Sequence, residues 1–297
     1  MKVGNRIAVA LALGILALPS VSPVALGAQG RDMSQVQIRA HPVANGIYYL
    51  EGQGGNIGLS VGEDGVVMID DQFAPLTERI VAAIRQLNQG EIRFVINTHV
   101  HGDHTGGNEN LGKMGILILA RDAVRVRLAA AENAVKEALP VLTFSEPISI
   151  HMNGGTVRTI PVPPAHTDGD SFIHFVEADV LHLGDVFRST GYPYIDLANG
   201  GTLQGTLDAL GVAIGMAGPN TKIVPGHGGV STRADVMAFR DMILDVKARV
   251  AALVAQGRTA DQVIAARPAS AHEARYGTDQ TSLERFLRAV YTEVGGR

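Results

Sequence analysis

The stretch that most constrains this chain runs from Thr98 to Asn108 and reads Thr-His-Val-His-Gly-Asp-His-Thr-Gly-Gly-Asn. Three histidines and an aspartate fall between His99 and His104, a density that a solvated turn rarely has and that a metal site requires. Imidazole and carboxylate together suit zinc and its borderline neighbours. The chain contains no cysteine, so a thiolate site is excluded and the ligands must be nitrogen and oxygen. Just before the motif, Arg93-Phe-Val-Ile-Asn97 is a β-branched run of the kind that forms a buried strand. The ligands therefore sit on a loop leaving a strand's carboxyl end, where layered α/β proteins place their chemistry.

Further ligand types recur later, each beside a strand end and a glycine that lets the backbone turn sharply. His166 lies in Pro164-Ala-His-Thr-Asp-Gly-Asp170, Asp185 in Leu183-Gly-Asp-Val-Phe187, and His227 in Val224-Pro-Gly-His-Gly-Gly229. His41, His151, His174, His182 and His272 lack that setting and are assigned no function. Asp168 and Asp170 read as turn formers or supports of His166, and Asp70 and Asp71, at the end of a buried strand, as partners for a ligand histidine.

The motif resembles the His-x-His-x-Asp-His signature of the metallo-β-lactamase superfamily. The series His99, His101, Asp103, His104, His166, Asp185, His227 matches that family's metal-binding order over nearly the whole mature chain. The resemblance implies that His99, His101 and His166 hold one metal, that Asp103, His104 and His227 hold the second, and that Asp185 bridges them or joins the second. It implies two Zn2+ per chain, with Fe or Mn also compatible with such ligands. It further implies hydrolysis by a bridging hydroxide, which Asp103 both orients and helps to ligate.

Two features bear on substrate. By the resemblance, dizinc β-lactamases carry cysteine where this chain has Asp185, whereas lactonases and hydroxyacylglutathione hydrolases carry aspartate, which favours ester chemistry. Against that, Arg188 stands where those lactamases place a lysine that grips the antibiotic's carboxylate. Asn199, in Leu197-Ala-Asn-Gly-Gly201, resembles their oxyanion-binding asparagine. A surface arginine and a helix-capping asparagine are the plainer readings of the same residues.

The 297 residues, 46% hydrophobic and 18% charged, suffice for a sizeable core, and a net charge of -4 without a basic cluster argues against nucleic acid. Lys2 and Arg6, the apolar stretch Ile7 to Leu18, Pro19 and the small residues Ala25-Leu-Gly-Ala28 form a secretory signal pattern. Residues 1–27 are expected to be that signal, with cleavage after Gly27 or Ala28, and residues 28–297 a single domain in the periplasm or outside the cell, without a stable membrane anchor. The oligomeric state is not encoded in any pattern found.

Strands are expected at Gly46–Leu50, Asn56–Val61 and Val66–Ile69, a meander in which Gly52–Gly55 is either a mobile flap or a tight turn. Pro75–Leu87 has helical spacing, Ile116–Leu119 reads as a strand and Asp122–Leu139 as a helix. Strands at 148–152, 156–162, 171–176 and 180–183 follow, then helices at 203–216, 235–254 and 282–290. Periodicity supports mixed α/β; the family resemblance implies a four-layer αββα sandwich. The expected activity is that of a dizinc hydrolase of a cyclic amide or ester, a small-molecule substrate, with β-lactams the best single guess. The alternatives are a lactonase or thioesterase, a mononuclear iron sulfur dioxygenase, and a non-enzymatic metal-binding relative.

Overall fold

The computed structural model describes residues 32–296, so the expected signal segment lies outside the described residues. The meander forms as expected: β1 (Arg39–Ala44), β2 (Ile47–Glu51), β3 (Ile57–Gly62) and β4 (Gly65–Ile69) pair antiparallel in sequence. Helix α1 (Thr77–Leu87) then crosses back so that β5 (Ile92–Asn97) lies parallel to β4. Its first turn, Ala74–Leu76, is a 3-10 turn with Pro75 inside it, where a missing N–H costs nothing. After the short helices α2 (Gly102–Thr105) and α3 (Asn108–Lys113), β6 (Leu117–Arg121) joins parallel to β5. Helix α4 (Asp122–Ala129) follows, and β7 (Leu142–Phe144) completes a seven-stranded sheet in sequence order.

The second sheet has five strands: β8 (Ile148–Met152), β9 (Gly155–Pro161), β10 (Ser171–Phe175) and β11 (Val180–His182) run antiparallel. Helix α5 (Leu203–Met216) intervenes before β12 (Lys222–Val224), which lies parallel to β11. Helices α6 (Arg233–Ala255), α7 (Ala260–Ala265), α8 (Glu273–Tyr276) and α9 (Gln280–Glu293) end the described chain. A capping box starts α6, where Thr232 Oγ1 and the Asp235 carboxylate each satisfy the other's backbone N–H.

The core is layered. Val67, Ile69 and Ile96 from the first sheet meet Val157, Ile173 and Val180 from the second, which defines the inter-sheet layer. The opposite face of the first sheet, through Leu59, Met68 and Val95, packs on Ile80 and Ile84 of α1. The outer face of the second sheet, through Phe172 and Leu181, packs on Leu207 of α5, Phe239 of α6 and Phe286 of α9. Strand β4 is buried along its whole length because both of its faces are covered, and each such aliphatic side chain contributes on the order of 1.5–3 kcal/mol. The architecture is the four-layer αββα sandwich.

One helix is shorter than its sequence suggested. The expected span 122–139 is helical only to Ala129, and a 3-10 turn at Lys136–Ala138 is all that follows. The alanines of 129–134 favour a helix but offer no apolar stripe: Val124 is the only buried residue of α4, and residues 130–134 are exposed.

Candidate metal centre

Strand β5 ends at Asn97, and the chain turns through Thr98 and His99 into α2, whose first residues carry Asp103 and His104. Asp70, at the end of β4, fixes this turn. Its carboxylate accepts from Thr98 N and Thr98 Oγ1, both at 2.7 Å, and from His104 Nδ1 at 2.7 Å. Asp70 and Gln72 are fully buried with φ of 62° and 55°. That left-handed conformation costs non-glycine residues about 1–3 kcal/mol and persists where surrounding bonds dictate it.

The supporting bonds assign a proton to one nitrogen of each histidine. Thr98 Oγ1 gives its single proton to Asp70, so at 3.0 Å from His99 Nδ1 it must accept, which leaves His99 Nε2 bare. His104 Nδ1 donates to Asp70, so Nε2 is the nitrogen that faces the centre. His101 Nε2 donates to Asp196 Oδ2 at 2.7 Å, leaving Nδ1, and His166 Nδ1 donates to the Tyr194 carbonyl at 2.5 Å, leaving Nε2. These nitrogens converge.

His101 Nδ1 and His166 Nε2 stand 2.8 Å apart, two lone pairs that repel unless a cation or a proton lies between them. His99 Nε2 is buried and bonded to nothing, and His104 Nε2 and Asp185 Oδ1 are buried with only each other, 3.2 Å apart, although buried polar atoms are normally satisfied. The ligand atoms form overlapping triads, each within 4.8 Å: His99, His101 and His166; His99, His104 and Asp185; Asp103, His104 and His227. Asp185 lies between the sets, with Oδ1 3.2 Å from His104 Nε2, and Oδ2 3.2 Å from His227 Nε2 and 3.8 Å from His166 Nε2. The orphaned atoms, the converging lone pairs and the nitrogen and oxygen donor set fit divalent metal ions of the zinc type.

The electrostatics divide the centre in two. Burial, reinforced by the neighbouring imidazoles, holds His99 well below the usual histidine range, and burial pushes His166 down to about 4 despite Asp185. Both are neutral ligands in waiting. The second set is richer in carboxylate: Asp185 lifts His227 to about 9 against the opposing effect of burial. Burial also opposes charge on His104, but Asp185, Asp70 and Asp103 outweigh it and raise His104. Asp103, although burial favours its neutral form, is drawn down to about 2 by His104 and His227. Before metal binds, protons on His104 and His227 neutralise these carboxylates, and a cation would displace them.

The sequence profile of the metallo-beta-lactamase superfamily matches residues 50–227, more than half of the chain and a span that ends on the last ligand. The chain belongs to the metallo-β-lactamase superfamily. Hydroxyacylglutathione hydrolase from Nitrosococcus oceani is 28% identical over 160 residues, covering 52% of this chain and 55% of that protein. The same enzyme from Rhodospirillum rubrum is 31% identical over 117 residues, covering 39% of this chain and 41% of that protein. The matched stretches thus span about half the length of these curated relatives or less. Among solved structures, a metallo-beta-lactamase from Pontibacter korlensis superposes with a TM-score of 0.63 at 16% identity, covering 70% of this chain and all 100% of that one. The inverting sec-alkylsulfatase Pisa1 from Pseudomonas sp. superposes with a TM-score of 0.70 at 18% identity, covering 87% of this chain and 50% of that one. These two likenesses establish a shared fold.

Within this superfamily member the residues around the ligands take definite places. The Gly52–Gly55 tip is tied down: Gly55 N donates to Asp103 O at 3.1 Å and Gly55 O accepts from Gln72 Nε2 at 2.7 Å. Asn56, the next residue, holds the His227 loop by donating Nδ2 to Pro225 O at 2.9 Å and Gly228 O at 2.8 Å. Gly226 lets that loop approach Asp185, since a Cβ there would lie 2.7 Å from Gly184 O. Asp71 accepts from Gly107 N at 2.8 Å, whereas Asp70 accepts from the ligand imidazole of His104.

Arg188 runs backbone to backbone beside His227, and its Nε is buried without a partner. Asn199 does not project as a free oxyanion donor. Its Nδ2 donates to Asp196 Oδ2 at 2.7 Å and its Oδ1 accepts from Arg127 at 3.1 Å, so it braces the carboxylate that holds His101. Arg127 in turn forks onto Asp168 at 2.7 and 2.6 Å, and Asp170 accepts from Thr167 N and Oγ1 in the turn that presents His166. His182 is buried under the site, bonded to Asn56 O and Gly184 N, and is structural. Sequence reasoning missed Thr98, Asn56, Asp196 and Tyr194. The requirement that each ligand imidazole find an acceptor for its second nitrogen signals that such partners exist, but not where.

Proposed function

We propose that this chain is a two-zinc hydrolase that attacks the carbonyl carbon of a small cyclic amide or ester and adds water across its acyl C–N or C–O bond, with β-lactams the first substrates to test. The convergence of imidazole nitrogens and carboxylate oxygens on overlapping triads, with Asp185 between the three-histidine set and the set of Asp103, His104 and His227, carries the proposal. When bound, such metals lower the pKa of a water and polarise the substrate carbonyl. His99, His101 and His166 would hold one ion; Asp103, His104 and His227 would hold the second. Asp103, already ionised beside His104 and His227 before metal binds, would accept a hydrogen bond from the attacking water and aim it. Arg188, bridged backbone to backbone with the ligand His227, would supply a guanidinium for a substrate carboxylate. The amino-terminal signal pattern supports export to the periplasm, where β-lactams and diffusible lactones are met. Among the described residues no helix is long and apolar enough to cross a membrane.

A lactone or thioester substrate is the second reading. Asp185 in place of a cysteine and the similarity to two hydroxyacylglutathione hydrolases favour it. Purified protein is assayed for metal content and against penicillins, carbapenems, acyl-homoserine lactones and acyl thioesters. About two zinc or similar ions per chain, with turnover abolished by chelation, is the expected result. Metal-free protein as isolated, one iron with dioxygenase activity, or no turnover on any of the panel would overturn the hydrolase reading.

A further inference from the structure

Two members of the three-histidine set, His101 and His166, are oriented from one short segment, Tyr194 to Asp196. The Tyr194 carbonyl accepts from His166 Nδ1 at 2.5 Å, while its ring stacks on His101 at 5.5 Å and 10° and meets His166 edge-on at 5.3 Å. Two residues on, Asp196 Oδ2 holds His101 Nε2 at 2.7 Å and Asp196 N donates to His166 O at 2.9 Å. Two of the three ligands of one metal therefore depend on the same three residues. The other set is held elsewhere: His104 by Asp70, and the His227 loop by Asn56.

That segment faces α9. A cavity of about 530 Å3 lies between them, walled by Tyr194 and Leu197 on one side and Thr281, Ala289 and Thr292 on the other. The Arg285 side chain spans this gap, with its guanidinium carbon 3.8 Å from the centre of the Tyr194 ring. Its neighbour Arg288 is instead committed to Asp261 and Glu284, both at 2.8 Å. A cation over a ring is attracted to its face and resists the ring's tilting. Tilting of Tyr194 would shift the support of His101 and His166 together.

We propose that Arg285 of α9 is a positioning residue for the three-histidine metal site, acting through the ring and carbonyl of Tyr194. The proposal rests on the two-metal reading of the centre. It is tested in the full-length protein by stepwise Zn2+ and Co2+ titration against a chromophoric chelator, together with the visible absorption of the Co2+ form. Arg285→Ala is expected to lower one of the two affinities roughly two- to fivefold and leave the other unchanged, with altered Co2+ bands. Arg285→Lys is expected to recover most of both changes, because an ammonium keeps the attraction to the ring. Tyr194→Leu, which keeps the carbonyl and loses the ring, is expected to lower the same affinity about tenfold. Unchanged affinities and Co2+ bands in Arg285→Ala, or equal losses at both sites, overturn the proposal alone. Unmodified protein that takes up no divalent ion overturns the metal reading along with it.

Discussion

Gly55→Ala is expected to disable the second metal site from outside the ligand motif. A Cβ on residue 55 would stand 2.1 Å from His104 Cε1 and 2.5 Å from Nε2, whereas ordinary contact begins near 3.4 Å. The hairpin or the ring must therefore yield by about 1.3 Å to bring the 2.1 Å contact out to 3.4 Å. Neither can do so freely. The hairpin is bonded on both sides, to Asp103 O and to Gln72. The ring is pinned by Asp70 at 2.7 Å and packed on His99 at 4.1 Å between centroids. A nitrogen moved by that distance cannot keep a zinc bond of about 2.0–2.1 Å. The expected losses are about 100-fold or more in affinity for one ion, beyond what removal of an outer partner costs, and about 1–3 kcal/mol of stability from overpacking. Chelator competition and thermal unfolding of the metal-free protein read the two effects separately. Gly102→Ala is the control: it lies within the motif, but its Cβ would meet nothing within 4 Å, so metal affinity should be retained. Two ions bound at unmodified affinity in Gly55→Ala would refute the steric argument.

Asp70→Asn removes the charge on which three donors converge, and chelator competition should show about a 10–100-fold loss of metal affinity; an unchanged value would show that the imidazole tautomers are set otherwise. His227 has a folded pKa of about 9 against a reference value of 6.5, chiefly through Asp185. The stability it gives the metal-free protein is therefore present below pH 6.5 and lost as pH rises through about 9; Tm should fall across that window and flatten in His227→Ala. Arg188→Ala should raise KM for a β-lactam with a smaller effect on kcat, and leave an uncharged ester nearly unaffected. Equal β-lactam kinetics in both forms would remove the carboxylate-anchor role and favour the ester reading.

The ligands were legible because their chemistry restricts residue type and their geometry demands a strand end beside a glycine, both visible in a linear sequence. His166, Asp185 and His227 stand far from the motif in sequence, yet each carries that local mark, and the structure brings all of them to His99–His104. The partners of the ligands carry no such mark. Asp196 reaches His101 across 95 positions, and Tyr194 serves His166 through a backbone carbonyl that any residue possesses. Asn199 shows the converse error: its glycine-flanked position resembles an oxyanion donor, but the side chain turns toward Asp196 and Arg127. Strand β12, of three residues, is too short to have a period, and α4 stops where its apolar face stops rather than where its alanines do.

The span matched by the superfamily profile closes at His227, whereas the core continues past it. Phe239, Val246, Phe286 and Val290, all from the later helices, cover the outer face of the second sheet, and without them that sheet would present its apolar face to water. The matched span carries the residues that could hold metal. The helices beyond it close the core, and through Arg285 they also reach Tyr194, which touches two ligands. Substitutions in α9 are therefore placed to alter how the three-histidine site holds its ion without changing any ligand, so members of one ligand series can differ in activity through a segment that the series does not contain.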